Sequence, residues 1–370
     1  MKKVLSIISL CSAVWLQSCS KDSSTTTPTV TITSDTLVFM GSEDNLIYAI
    51  NALSGTKVWT FATTGSTISS PTLADGVLYA ASYDKNVYAL NPATGAKKWS
   101  YTTGGTIKSS PTVVNGVVYV GCNDNNVYAI DATTGTKKWT YATGGNVKSS
   151  PTVVNGIVYV GSFDANVYAL DAVTGSLKWK FTAGDWVNSS PAVVNGIVYF
   201  GSYDNKVYAV DAITGVKKWS YAGTSYFESS PTVVNGIVYI GSNDKKMYAF
   251  DAATGTKKWE YAVSYGIDSS PTVVNGMVYF GSYDGKVRAL DALTGIQNWE
   301  YGTGGIILGS PVVANNILYV GSGDYILYAV DATTGTKKWS YTAAGLLYSS
   351  PCVLTNNTII NHSGISGAQQ

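Results

Sequence analysis

Residues 149–181 read SSPTVVNGIVYVGSFDANVYALDAVTGSLKWKF, and this stretch decides the fold. Asn155-Gly156 separates two apolar, β-branched runs, the pattern of a two-residue type I′ hairpin between a strand A and a strand B. A loop around Asp164 precedes a strand C, and a turn that contains Gly175, which tolerates positive φ, precedes a strand D. No segment shows helical periodicity. The stretch therefore predicts four short antiparallel strands.

The same pattern recurs every 40 residues, eight times along the chain of 370 residues. The strand D tryptophans are Trp59, Trp99, Trp139, Trp179, Trp219, Trp259, Trp299 and Trp339. The strand A prolines are Pro71, Pro111, Pro151, Pro191, Pro231, Pro271, Pro311 and Pro351. Self-similarity at a fixed period indicates a repeat architecture, and four short strands per repeat are typical of a propeller blade. We predict an all-β fold, an eight-bladed β-propeller of four-stranded antiparallel blades.

The repeats do not begin and end in phase. The first B–C–D set, residues 37–61, lacks a good strand A before it, whereas residues 350–354 resemble a strand A and follow the eighth tryptophan. We expect the C-terminal strand to complete the N-terminal blade, so that pairing of N- and C-terminal strands closes the ring. Weak β-character in residues 29–33 leaves a competing or extra strand open.

The N-terminus indicates export. Lys2 and Lys3 precede an apolar stretch, residues 4–16, which is too short to span a bilayer and fits a signal peptide. Leu16-Gln17-Ser18-Cys19 resembles the lipobox of bacterial lipoproteins, in which the cysteine is lipidated. The predicted organisation is a lipoprotein signal peptide at 1–18, a flexible tether at 19–29, the propeller at 30–362 and a disordered tail at 363–370.

Composition limits the partners that we expect. The net charge is +1, charged residues are 13% of the chain, and lysines outnumber arginines 23 to one, so a nucleic-acid partner is not expected. We expect a monomer in the bacterial cell envelope that contacts a membrane only through its N-terminal lipid. Ser20, in place of Asp, follows Cys19 and favours the outer membrane by resemblance to known sorting patterns. His362 is the only histidine, so we expect neither a catalytic triad that uses histidine nor a metal site with several histidine ligands.

The repeat consensus identifies a family. Gly-Ser-x-Asp, followed by Val-Tyr-Ala-Leu-Asp-Ala-x-Thr-Gly-x-Lys-Lys-Trp, resembles the PQQ-type propeller repeat of quinoprotein dehydrogenases and of BamB-like lipoproteins of outer-membrane β-barrel assembly. The resemblance covers about residues 30–360 and implies the propeller fold. It leaves the function open, because the same repeat serves redox enzymes and scaffolds.

The loops differ in how much they vary among the eight copies. The A–B and C–D turns, which topology places on one face, hardly vary; we call this the turn face. The D–A and B–C loops form the opposite loop face and vary most. This variation is either drift in unconstrained loops or a diversified binding face around the channel mouth. The residues before the Ser-Pro element are Ile68, Lys108, Lys148, Asn188, Glu228, Asp268, Leu308 and Tyr348.

Our preferred interpretation is a non-catalytic binding or scaffold protein without a cofactor. It would engage envelope protein segments or glycans through the loop face, where three aromatic residues lie in equivalent loops: Trp186, Tyr226 and Tyr265. Loop packing is the competing explanation for these rings. The predicted binding face comprises Lys108, Lys148, Trp186, Asn188, Tyr226, Glu228, Tyr265, Asp268 and Tyr348.

The alternative is a PQQ- and calcium-dependent dehydrogenase of alcohols or sugars, as the resemblance to quinoproteins implies. Asn188 and Glu228 would hold calcium, and Asp268 would accept the substrate proton. Lys108 or Lys148 would then pair with the cofactor carboxylates, with Trp186 stacked on the quinone. Against this, the chain has no adjacent cysteine pair, no insertion to roof the site, and its only arginine, Arg288, lies within strand C. Each B–C loop also carries an aspartate, which we interpret as a turn former.

Overall fold

The structure, a computed structural model, describes residues 36–355 and 358–361. The predicted signal peptide, lipidated Cys19, tether and tail lie outside the described residues, as do His362 and the segment 29–33. Over the part that is described, strands form eight sheets and there is no helix, hence none able to cross a membrane.

Each sheet is one blade with the antiparallel order A-B-C-D from the channel outward, as predicted. The A strands are Thr72–Ala74, Thr112–Val114, Thr152–Val154, Ala192–Val194, Thr232–Val234, Thr272–Val274, Val312–Ala314 and Cys352–Thr355. The B strands are Leu37–Gly41, Val77–Ala81, Val117–Gly121, Ile157–Gly161, Ile197–Gly201, Ile237–Ser242, Met277–Gly281 and Ile317–Gly321.

Strands C and D complete the blades. The C strands are Leu46–Asn51, Asn86–Leu90, Asn126–Asp131, Asn166–Asp171, Lys206–Asp211, Lys246–Asp251, Lys286–Asp291 and Ile326–Asp331. The D strands are Lys57–Ala62, Lys97–Thr102, Lys137–Ala142, Leu177–Thr182, Lys217–Ala222, Lys257–Ala262, Gln297–Gly302 and Lys337–Thr342. We number the blades 1 to 8 in the order of their D strands.

The turns have the backbone conformation that the sequence predicts. In the A–B turn of blade 4, Asn155 has a φ of 50° and Gly156 a φ of 74°, as a type I′ turn requires. In the C–D turn of the same blade, Gly175 has a φ of 73°. These two tight turns keep the strands in register and leave the turn face short.

The ring closes as expected, and one element was not predicted. Cys352–Thr355 pairs with Leu37–Gly41, so that Val353 lies opposite Val38 and the C-terminal strand becomes strand A of blade 1. A fifth strand, Thr358–Ile360, pairs with that strand on its channel side. Three residues are too few to show a period, which is why the sequence did not reveal this strand.

Hydrophobic clusters lie between neighbouring blades, with strands B and C almost fully buried. Trp139 of blade 3 packs against blade 4, and its Nε1 donates to the carbonyl oxygen of Ala172 at 3.0 Å. A Cβ atom added to Gly175 would lie 2.7 Å from that indole ring. The tryptophans therefore pack between blades, as expected.

A ring of serines joins the A strands around the channel. In each blade the backbone N–H of the serine before the proline donates to the hydroxyl oxygen of the equivalent serine in the next blade, as in Ser150 to Ser190 at 2.9 Å. The ring is complete, because Ser350 N–H donates to Ser70 Oγ at 2.9 Å across the closure. The Ser-Pro motif thus fixes the distance between neighbouring blades at the channel wall.

The aspartate of each B–C loop stabilises its own turn, as the sequence indicates. Asp164 accepts the N–H of Asn166 at 3.0 Å and the hydroxyl of Tyr168 at 2.6 Å. Blade 7 has Arg288 where the other repeats have this tyrosine, and its guanidinium donates to Asp284 at 2.6 Å. The structure thereby supplies the partner of Arg288 that the sequence did not reveal.

Candidate binding face

A cup of about 350 Å³ opens at the channel mouth on the loop face. The hydroxyl-bearing serine ring forms its wall, and the variable residues before the Ser-Ser-Pro motif surround it. Of the predicted residues, the cup is lined by Lys108, Lys148, Asn188, Glu228, Asp268 and Tyr348. The eightfold repeat therefore brings side chains that lie 40 residues apart in sequence to one small opening.

Glu228 is held by three side chains. Asn188 donates its amide N–H to Oε1 at 2.5 Å, and the Tyr203 hydroxyl donates to Oε2. The Lys108 ammonium lies 3.5 Å from Oε1, although it projects from a blade three positions away around the ring. Donors on both oxygens give this carboxylate a fixed orientation at the cup mouth.

Asp268 is also held by its neighbours, but its charge is less well tolerated. The Tyr283 hydroxyl donates to Oδ2 and the Asn243 amide to Oδ1, both at 2.5 Å. Burial, and secondarily the negative charge of Glu228, raise the pKa of Asp268 to about 6. The cup thus contains two carboxylates that repel each other, of which Asp268 is the one that takes up a proton near neutral pH.

Two lysines lie at the other side of the mouth. The Nζ atom of Lys148 lies 4.3 Å from the centre of the Phe163 ring, in a cation–π arrangement. Burial, and then repulsion by Lys108, lower the pKa of Lys148. The cup therefore has lysines from blades 3 and 4 and carboxylates from blades 6 and 7, and the Lys108 ammonium reaches across it to Glu228.

The aromatic residues form a row outside the cup. Phe163 stacks on Trp186 with ring centres 4.7 Å apart, and Tyr203 stacks on Tyr226 at 4.4 Å. Trp186 also contacts Tyr203, at 5.7 Å. Each stacked pair covers one face of each of its rings, and 45% of Trp186 remains exposed. Neither Trp186 nor Tyr226 lines the cup.

Tyr265 stands apart from this row. It is 60% exposed, and the Lys245 ammonium lies 5.9 Å from its ring centre. Like Trp186, it does not line the cup. The structure therefore brings six of the nine predicted residues together and leaves three on the surrounding loops.

Sequence reasoning missed the side chains that orient the carboxylates. Tyr203, Asn243 and Tyr283 occupy the B–C loop position directly before the turn aspartate, in three consecutive blades. The available signal was the run of hydrogen-bond donors at one repeat position, opposite the acceptors at another.

The donor set does not suit a calcium–quinone group. Asn243 and Tyr283 use both oxygens of Asp268, while Asn188 and Tyr203 use both oxygens of Glu228. A cation bound there would displace these donors and lie beside the Lys108 ammonium. In the described part of the chain, no three His, Cys, Asp or Glu residues cluster as a metal site. Trp186, the residue expected to stack on the quinone, is outside the cup.

Comparison with solved structures shows the same fold in proteins of different function. BamB from Moraxella catarrhalis is 20% identical, with a TM-score of 0.68, covering 80% of this chain and 95% of that one. The computationally designed protein Ika8 is 18% identical, with a TM-score of 0.71 and coverage of 84% and 96%. A europium-containing methanol dehydrogenase is 16% identical, with a TM-score of 0.70 and coverage of 82% and 85%.

These identities establish the fold alone. Among curated proteins, no relative matches the chain significantly. A family model described as outer membrane protein assembly factor BamB matches residues 12–149, 126–228, 225–345 and 303–364. Those segments together span nearly the whole chain, which therefore belongs to the family of outer membrane protein assembly factor BamB.

Proposed function

We propose that this protein is a non-catalytic binding protein of the bacterial envelope, which holds a segment of another envelope protein on its loop face. The observation that carries the proposal is the charged cup, in which Lys108 and Lys148 project from blades 3 and 4 and Glu228 and Asp268 from blades 6 and 7. Fixed charges of both signs suit a peptide backbone flanked by charged side chains. Membership of the BamB family supports a partner in outer-membrane assembly.

The aromatic row favours a protein partner over a glycan. A sugar ring packs on the face of an aromatic ring, but Phe163 and Trp186 cover each other's faces, as do Tyr203 and Tyr226. Aromatic rings that are partly covered by one another instead suit the mixed contacts of a protein interface. Glycan binding is therefore the second outcome that a test should distinguish.

The proposed location is the outer membrane, with the protein anchored as a monomer through a lipid on Cys19. The sequence around Cys19 and the family description support this location. Metabolic labelling with a radioactive fatty acid, compared between the native chain and Cys19→Ser, tests it. Loss of label and of membrane fractionation in the variant is the expected result.

In-cell photo-crosslinking tests the binding face. A photoreactive phenylalanine analogue replaces Tyr265 or Tyr325, which are exposed on the loop face, or Leu53 on the turn face as the matched control. We expect a discrete protein adduct from both loop-face positions and none of the same mass from Leu53. Equal adducts from both faces, or only glycan-bearing adducts, would contradict the proposal.

The dehydrogenase alternative has one observation in its favour, since a pKa of about 6 at Asp268 suits a general base. The carboxylate is, however, already bonded through both oxygens to Tyr283 and Asn243. We expect no heat of binding when PQQ and calcium are titrated into the protein. Stoichiometric binding together with dye-linked alcohol oxidation would replace the binding proposal with the enzyme.

A further inference from the structure

Exposed aliphatic and aromatic side chains lie on opposite faces of the propeller. Among the described residues, every large exposed aliphatic side chain belongs to the turn face, and every large exposed aromatic belongs to the loop face. The aliphatic tips are Leu53, Val173, Ile213 and Leu293, each 69% to 83% exposed at the same position of a C–D turn. Each is followed within five residues by a second exposed aliphatic residue.

These apolar tips are distributed around the ring. They belong to blades 1, 4, 5 and 7, and the C–D turns that carry them all end at one level of the propeller. In a groove that binds one peptide segment, the exposed aliphatic side chains would lie together on one side of the ring. Tips spread around one level instead suit a flat partner that touches several blades at once.

The charges are also divided between the faces. At the turn face, the first two positions of the D strands carry twelve lysines. The same face carries seven aspartates, namely the six that end C strands and Asp75, so its net charge is +5. The remaining described residues, in the B–C and D–A loops and the strands next to them, carry fourteen carboxylates and nine basic groups, giving −5. The net charge of the whole chain is therefore near zero, although the two faces have opposite charges and give the propeller an electric dipole along its axis.

Many of the turn-face lysines are available to a partner. The second lysine of a pair often contacts the aspartate that ends strand C, as Lys138 contacts Asp131 at 3.1 Å. Six others form no ion pair within the described part of the chain. They are Lys57, Lys97, Lys98, Lys137, Lys217 and Lys337. Their aliphatic stems and charged ends suit a boundary between apolar and anionic material.

The chain enters the propeller at this same face. The carbonyl oxygen of Thr36 accepts the N–H of Ala52, in the C–D turn of blade 1, at 2.8 Å. Cys19 precedes Thr36 by 17 residues, a stretch that reaches at most about 60 Å. A lipid on Cys19 would therefore bring the turn face within reach of the bilayer.

We propose that the turn face docks on an anionic phospholipid surface, with the aliphatic tips entering the interface and the lysines contacting lipid phosphates. A second copy of this chain is the wrong partner, because two faces of +5 repel each other. This orientation directs the loop face and its cup away from the membrane. It goes beyond the proposed function and departs from the expectation that only the N-terminal lipid contacts a membrane.

A depth-sensitive probe tests the docked orientation. The full chain carries Cys11→Ser and Cys19→Ser, which leaves only Cys122 and Cys352, both buried. An NBD dye is attached at Ile213→Cys on the turn face or at Tyr325→Cys on the loop face. Vesicles contain phosphatidylglycerol and phosphatidylethanolamine with nitroxide-labelled lipid as quencher. Any insertion of the apolar residues 4–16 is common to both proteins.

We expect quenching at position 213 to exceed that at position 325 at least about threefold, and to be lost in phosphatidylcholine vesicles or at high salt. Equal quenching at both positions, or stronger quenching at 325, overturns the proposal. So does quenching at 213 that persists unchanged in phosphatidylcholine.

Substitution of the tips supplies a second test. With the probe kept at 213, Val173→Ser combined with Leu293→Ser should reduce quenching by more than half, whereas Tyr83→Ser combined with Tyr265→Ser on the loop face should not. All four residues are exposed, so thermal melting should be unchanged and a folding defect is excluded by that measurement. Unchanged quenching in the turn-face variant overturns the role of the tips.

Discussion

The indole Nε1 of Trp339 donates a 2.9 Å hydrogen bond to the carbonyl oxygen of Ala52, which lies 287 residues earlier in the chain. In the other seven repeats the indole reaches a carbonyl 33 residues ahead, as Trp179 reaches Ala212. The eighth indole thus makes the ordinary contact between neighbouring blades, but across the closure. Blade 1 is consequently secured twice, by this side chain and by strand Cys352–Thr355.

The C-terminal strand should decide whether the propeller folds. A chain that stops after Ser349 loses strand A of blade 1 and uncovers the buried Val38 and Phe39, so we expect it to aggregate. A chain that stops after Thr355 loses only the fifth strand and the contacts of Asn361 with the Leu73 backbone. It should remain soluble and melt a few degrees lower. Size-exclusion chromatography and circular dichroism distinguish the two, and equal behaviour would contradict the closure.

Gly175→Ala and Gly156→Ala form a matched pair for the packing of the tryptophans. Both glycines have a φ near 73°, so each substitution introduces similar backbone strain of about 1–2 kcal/mol. At Gly156 nothing lies within 4 Å of the new Cβ, but at Gly175 the Trp139 ring is 2.7 Å away. The Tm should fall at least about twice as far for Gly175→Ala. Equal losses would mean that the indole moves freely.

Arg288 can be exchanged for the residue of the other repeats. Arg288→Tyr should leave the Tm within about two degrees of the native value, because a tyrosine hydroxyl can donate to Asp284 as Tyr168 does to Asp164. Arg288→Ala should cost about 3 kcal/mol, since it leaves a buried carboxylate without its cation. Thermal unfolding of Arg288→Tyr and denaturant unfolding of Arg288→Ala, each compared with the native protein, check the two values. A large loss in Arg288→Tyr would show that Arg288 has a role beyond this turn.

Asp268 should make the native protein less stable as the pH rises. Its pKa is raised to about 6, so the folded state binds this proton more tightly than the unfolded chain does. The protonated form is fully present below about pH 4, and the penalty develops as the pH rises through 6. We expect the free energy of unfolding of Asp268→Asn to match that of the native protein at pH 4 and to exceed it by about 2 kcal/mol at pH 8. Asp185→Asn, at an exposed loop residue, is the control and should show no such divergence.

Much of the blade could be predicted because its causes are local. Asn155 and Gly156 adopt positive φ without help from the rest of the chain, and their spacing from Gly175 sets the strand lengths. The convergence of Asn188, Glu228 and Asp268 followed from their equal position in the repeat. The B–C loop donors to these carboxylates were missed, because the run of donors at one repeat position becomes informative only when the fold places it opposite the carboxylates.

The repeated local pattern was enough to predict the number of blades, the order of strands and the variable positions, whereas the strand that completes blade 1 was established by the pairing of Cys352–Thr355 with Leu37–Gly41. Lys108 lies 3.5 Å from Glu228 although three blades separate them, while Trp186 stacks outside on Phe163. The narrow channel brings charged side chains from distant blades close enough to interact, whereas the aromatic rings of the loops pack on the neighbouring rings that bury them.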